Sequence, residues 1–272
     1  QAVYRLRGLG ASSDGADFRA SPAALLFAQA ARAHDPSLTF DAADGSIFET
    51  LCAAVRGAPL ALQLLAQWLS IMSLREIAEK VTSGASKLSD LGGQALREVF
   101  EGSWSLLDGN VRNALAALSI FPDDFDHLAA RQVADVSLES VLALERGSLL
   151  ERRANHRLAL HPLTKAFAVE KLAPERREAL LAQHARYFLQ ATDRTPSMIL
   201  GPNLSQVSER TRVELQNLRL AWSWFALHGS FDEIGQVAEH TFYLCIISGL
   251  FSEALSMFEA TPCERSLRAA FS

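Results

Sequence analysis

A histidine at position 161 and a proline at position 59 are the residues whose type and setting best suit chemistry in this chain. His161 stands in Arg157-Leu158-Ala159-Leu160-His161-Pro162-Leu163, at the end of a predicted strand and just before a helix. An imidazole there can donate a hydrogen bond to an anionic oxygen such as a phosphate, and it titrates near physiological pH. It can equally end the strand and satisfy a backbone group. Pro59 stands in Gly57-Ala58-Pro59-Leu60-Ala61-Leu62. Its rigid ring has no N–H and offers a flat apolar surface. The same proline suits the first turn of a helix and needs no ligand there.

Other candidates carry less. Asp123, Asp124 and Asp126 lack the spacing of a calcium loop and read as a helix-capping turn. Gly8-x-Gly10 lacks the third glycine of a dinucleotide fingerprint. Trp222, Trp224 and Phe225 read as core. The chain contains no GxSxG, no HExxH and no GxxxxGK[ST], and no carboxylate pair announces a hydrolase. No catalytic residue and no metal ligand is assigned, so the chain by itself is not expected to be an enzyme.

Helices must position these residues. Ser21-Pro22 opens the first, as a cap followed by proline at N1. Asp44 to Val55 reads as a second, ending at Gly57. The third runs from Pro59 to Leu69, is apolar around most of its circumference and is therefore buried. Leu74 to Val81 is a fourth. A Ser- and Gly-rich stretch from Thr82 to Gly93 reads as a linker. Helical periodicity returns at Leu96, Val99, Phe100, Ser103 and Leu107, and further helices follow to Gly147. Two short runs around Ala154-Asn155-His156 predict a β-hairpin, and a helix covers Pro162 to Leu172. Helices followed by a hairpin suggest a winged helix. Phe121, Phe167, Leu115, Leu118, Leu144 and Leu163 are its expected core. After Pro174, helices are expected at 175–191, 208–228, 231–248 and 251–259. A loop at Thr192 to Gln206 separates the first two. Gly229-x-Phe231-x-Glu233 matches Gly249-x-Phe251-x-Glu253: a glycine ends one helix, an aromatic packs and a glutamate enters the next first turn. Trp222, Phe225, Phe231, Phe242, Phe251 and Phe258 are the expected core of this array, with Leu255 and Phe258 on an exposed apolar stripe.

The fold class is therefore all-α, with one small hairpin: a helical bundle over 1–85, a winged-helix domain over 92–173, and an incomplete tetratricopeptide-like helical array over 175–272. Composition agrees. Hydrophobic residues make up 49% and charged residues 21% of 272, ordinary for a soluble globular chain. A net charge of −5 argues against a general nucleic-acid coat. The predicted pre-hairpin helix, Leu138 to Arg146, is acidic and apolar, unlike a groove reader. The hairpin does carry a basic wing of Arg152, Arg153, His156 and Arg157. The three cysteines, Cys52, Cys245 and Cys263, form no CxxC pair and no disulfide framework, which suits a reducing cytoplasm. No stretch approaches a membrane span, and no leader is evident before Leu6. The absence of an initial methionine and a helix-like stop at Glu264 to Phe271 suggest a piece of a longer protein.

Gly57–Leu62 resembles the GLPLA motif of the STAND signalling ATPases (the NB-ARC or AP-ATPase group), with Ala58 in the leucine position. Arg157–Leu163 resembles their MHD segment, with Leu160 for methionine and Pro162 for aspartate. Ser103–Phe121 and Ser148–Leu150 resemble the winged-helix region of bacterial members. Glu214-Leu215-Gln216-Asn217-Leu218-Arg219-x-Ala221-Trp222 resembles the start of their helical-repeat array. The resemblance implies that Pro59 packs on adenine and that His161 bonds the β-phosphate of ADP in a closed resting state. It implies ADP or ATP, with magnesium only in the parent, held by a nucleotide-binding domain upstream. It further implies an inducer or protein partner at the repeats, within a two-state transcriptional regulator. The alternatives are a repeat scaffold with vestigial nucleotide motifs, or a DNA-binding winged-helix regulator.

Overall fold

The computed structural model describes residues 8–10, 18–83, 91–193, 204–229 and 231–259. Most of the stretches expected as linker and loop, 84–90 and 194–203, and the helix-like 264–271 lie outside them. The described elements are α1 (Pro22–His34), α2 (Asp44–Ala54), α3 (Pro59–Trp68), α4 (Leu74–Ser83), α5 (Leu91–Leu106), α6 (Gly109–Leu118), α7 (His127–Ala134) and α8 (Leu138–Arg146). Strands β1 (Glu151–Arg152) and β2 (Leu158–Ala159) follow. After them come α9 (Pro162–Glu170), α10 (Pro174–Asp193), α11 (Leu204–Leu227), α12 (Phe231–Ile247) and α13 (Phe251–Glu259). Among the described residues the fold is all-α with one two-stranded antiparallel hairpin. Helix α5 already begins at Leu91, inside the stretch expected as linker.

The chain divides into two compact units, residues 1–112 with 139–150, and residues 113–138 with 151–272. The segment 92–173 is shared between them.

In the first unit, the Ser21 hydroxyl accepts from the Ala24 N–H at 3.2 Å and caps α1. Helix α3 buries Leu60, Ala61, Leu62, Leu64, Leu65, Ala66 and Trp68 and packs on α1 and α5. Helix α2 packs on α4 and α5. The α3–α5 contact is set by one glycine. A Cβ on Gly102 would lie 2.1 Å from Trp68 Cζ2, so only glycine lets α5 approach the indole. The Trp68 Nε1–H then donates to Ser103 Oγ at 3.1 Å. Helix α8 buries Ser140, Val141 and Leu144, and Gln67 Nε2 donates to the Gly147 carbonyl at 2.6 Å.

In the second unit, the hairpin pairs Glu151 with Ala159 and Arg152 with Leu158, and Asn155 takes the left-handed conformation its turn requires. Phe125 adds a bridge to Leu158 on the other edge of β2. Phe121 is buried and stacks on Phe125 at 4.2 Å, and Phe167 is buried from α9, as expected. Leu163 was expected in the same core and is instead 43% exposed. The buried stripe of α9 is Thr164, Phe167 and Ala168, an i, i+3, i+4 set, and Leu163 lies one position off it.

Helix α10 packs against α7, α11 and α12, and α13 packs on α12 and α11. Gly229 and Gly249 take left-handed φ of +68° and +71° and end α11 and α12. Trp222 and Phe225 are buried; Phe258 meets Trp222 edge-on at 4.8 Å and is half-buried, as is Phe242. Phe251 breaks the expected repeat. It is 62% exposed, because it opens α13 ahead of the buried pair Ala254 and Met257. The Phe231 side chain is not among those described. Leu255 is exposed on α13, as expected.

Candidate functional site

His161 is the N-cap of α9. Its Nδ1 accepts from the Leu163 N–H at 3.2 Å, and Pro162 occupies N1. The ring is half-buried. With Nδ1 accepting, the neutral imidazole holds its proton at Nε2, which is a donor. Strand β2 ends at Ala159, two residues before His161, and begins beside Arg157, where the second unit concentrates its polar contacts.

Arg157 is only 8% exposed. Its Nε donates to Asp124 Oδ1 at 2.9 Å and its Nη2 to the Asp124 carbonyl at 2.9 Å. Its Nη1 donates to Glu214 Oε1, and Nη2 reaches Glu214 Oε2 at 3.1 Å. Burial alone would lower the guanidinium pKa; the bonds and charges of Glu214 and Asp124 outweigh it and raise it. Asn217 closes the network, donating to Glu214 Oε2 at 2.8 Å and to the Asp124 carbonyl at 3.1 Å. Its own oxygen lies 3.2 Å from His184 Nε2. Five side chains thus join the hairpin, the turn before α7, α10 and α11.

His184 is fully buried against Phe121 and Phe188. Burial pushes its pKa down to about 4, against a bond from Asn217 and with help from the charge of Lys165. Its Nδ1 is buried and has no hydrogen-bond partner among the described residues.

The sequence places Arg157 on a basic wing that reads as a solvated turn. In the fold it is buried instead, with its donors spent on two carboxylates and a carbonyl. Arg153 likewise faces Asp123 at 3.5 Å and Asp124 at 3.7 Å. Of the three aspartates read as a capping turn, Asp126 does cap α7, accepting from Ala129 N–H at 2.7 Å. Asp124 instead serves Arg157. The signal that could have found the network was the i, i+3 pair Glu214 and Asn217 on one helix face.

A cleft of about 440 Å³ lies between the Phe121–Phe125 turn, β2 and α9. Leu118, Phe121, Leu160, Pro162 and Val169 line it, with Asp123, Arg153 and Lys165 as its charged residues.

Pro59 belongs to the first unit. It is the exposed first residue of α3, so its ring is accessible. Two left-handed residues precede it, Arg56 and Gly57. At Gly57 glycine is required twice over, by a φ of +62° and because a Cβ would lie 2.1 Å from the Leu9 carbonyl. The Leu9 N–H donates to the Gly57 carbonyl at 2.8 Å and holds residues 8–10 beside this turn.

No family model matches the chain. It is 26% identical over 253 residues to proteins of Mycobacterium tuberculosis and Mycobacterium bovis, each named "Putative HTH-type transcriptional regulator". The match covers 86% of this chain and 28% of those relatives, so the chain spans less than a third of their length. Among solved structures it is similar to a Signal Transduction ATPase with Numerous Domains (STAND) protein with a tetratricopeptide repeat sensor from Pyrococcus horikoshii. That likeness has 18% identity and a TM-score of 0.43, over 87% of this chain and 34% of the other.

Proposed function

We propose that this chain is the regulatory segment of a STAND-type nucleotide switch within a bacterial transcriptional regulator. His161 donates from Nε2 to the β-phosphate of ADP, and Pro59 offers its exposed ring to the adenine. The phosphate cradle, the magnesium ligands and any ATP hydrolysis belong to an upstream domain of the same protein. The helical array of α11 to α13 takes an inducer or a protein partner. A ligand can bias such a switch only by binding one state better than the other, and a mechanical link must carry the bias. The observation that carries this reading is the Arg157 network. It ties the residue that leads into β2, four positions before His161, to Glu214 of α11, which Asn217 of the same helix holds in turn.

The test is ADP retention by the full-length protein carrying His161→Ala. Loss of one hydrogen bond to a charged group should weaken ADP by about ten- to a hundredfold and raise basal output. Unchanged affinity together with unchanged output would overturn the assignment. The names of the mycobacterial relatives favour a DNA-level output. We assign that contact to another part of the protein, because α8 buries Val141 and Leu144 and carries two glutamates.

A further inference from the structure

The cleft between the Phe121–Phe125 turn, β2 and α9 has the size of a small-molecule site and an uneven chemistry. Its floor is closed by the buried Leu118, Phe121 and Phe125, and Pro122, Pro162, Ala166 and Val169 give it an accessible apolar rim. Of its two cations, Arg153 faces Asp123 and Asp124, and Lys165 is half-buried on α9. The Lys165 ammonium donates to the Pro122 carbonyl at 3.0 Å, and among the described residues no carboxylate lies within 4.0 Å of it. Asp123 acts on it only as a more distant charge, and Asp123 itself faces Arg153 at 3.5 Å. Burial drives the amine's pKa down, against the pull of Asp123. An ammonium drawn into a partly apolar cleft with no carboxylate at salt-bridge distance carries a desolvation cost, and a bound anion reduces that cost. Inorganic anions would leave the apolar walls wet. An anion with an apolar body satisfies both.

We propose that this cleft binds an amphipathic organic carboxylate, its carboxylate on Lys165 and its apolar body along Pro122, Pro162, Ala166 and Val169. The site stands on the cleft alone, and its test needs neither nucleotide nor any other part of the switch.

The probe is decanoate, titrated calorimetrically into the 272-residue chain, with decanol and inorganic phosphate as partners that keep only the chain or only the charge. Decanoate should bind, and decanol and phosphate should bind at least about tenfold more weakly. Lys165→Met keeps the apolar stem and should cost decanoate about tenfold, while Lys165→Arg should largely restore it. Ala166→Phe fills the cleft from α9 and leaves Lys165 in place; it should abolish binding with the helical circular dichroism intact. Decanol binding as tightly as decanoate would reduce the cleft to an apolar surface and overturn the proposal. No decanoate binding, or equal binding to wild type, Lys165→Met and Ala166→Phe, would overturn it as well.

Discussion

His184 shows how one side chain can set the acid limit of a fold. It is enclosed by Phe121 and Phe188, and its folded pKa of about 4 lies below the ordinary 6.5. Between these values the unfolded chain binds a proton that the folded chain refuses. Stability therefore falls as pH drops from 6.5 toward 4 and levels off below. The full effect of a shift this size is about 3 kcal/mol. Urea midpoints measured across this window should fall for the wild type. They should fall less for His184→Gln, which removes the titration and keeps an amide for Asn217. Equal slopes in the two proteins would remove His184 as the cause. Arg157 is the opposite case, a charge that is buried because it is fully paired. Arg157→Met strands Asp124 and Glu214 close together and should cost about 3 kcal/mol or more in urea unfolding.

Two contacts hold elements in register. Strand β2 is tied to α11 by Arg157 and Glu214. A double-mutant cycle with Arg157→Met and Glu214→Gln should return a coupling of about 1–3 kcal/mol, against near zero for two exposed charges. Additive losses would show that the strand and the array are held by apolar packing alone. The other contact is α5 on α3. Gly102→Ala would gain about 1 kcal/mol of helix propensity. It also drives a Cβ to 2.1 Å from a fully buried indole. Overpacking costs about 1–3 kcal/mol, so the substitution should lower Tm. A raised Tm would show that α5 can slide away from Trp68.

At the scale of the molecule, charge and burial argue together about nucleic acid. The chain carries a net charge of −5. The pre-hairpin helix α8 turns Val141 and Leu144 inward and presents Leu138, Glu139, Leu142 and Arg146 outward. The hairpin's Arg153 and Arg157 face carboxylates. Phosphate contacts supply most non-specific affinity, and few cations here remain to make them. A gel-shift titration with duplex DNA at low salt should therefore show no complex. A shift that weakens steeply with added salt would show instead that the hairpin region binds phosphates. Among the described residues no helix is long and apolar enough to cross a membrane.

Local rules made much of this chain legible without coordinates. Ser21-Pro22, Ala58-Pro59 and His161-Pro162 start helices because proline suits N1 and because the preceding residue is held extended. Gly229 and Gly249 end helices because only their backbone enters the left-handed region cheaply. The all-α class, the hairpin around Asn155, and the burial of Phe121, Phe167, Trp222 and Phe225 follow from periodicity of the same kind. Tertiary structure decided whatever depends on a partner distant in sequence. Arg157 reads as a surface cation until Asp124 and Glu214, 33 and 57 residues away, converge on it. His184 carries no signal of its own in the sequence, and its burial comes from Phe121 and Phe188 closing over it. Phe251 and Leu163 read as core because helical period says that a stripe exists, and only packing says which residues it contains. Gly102 carries no turn signal, since its reason is the ring of Trp68 and not its own backbone. Charge pairing and close packing are properties of pairs, and a pair far apart in the chain is assembled only by the fold.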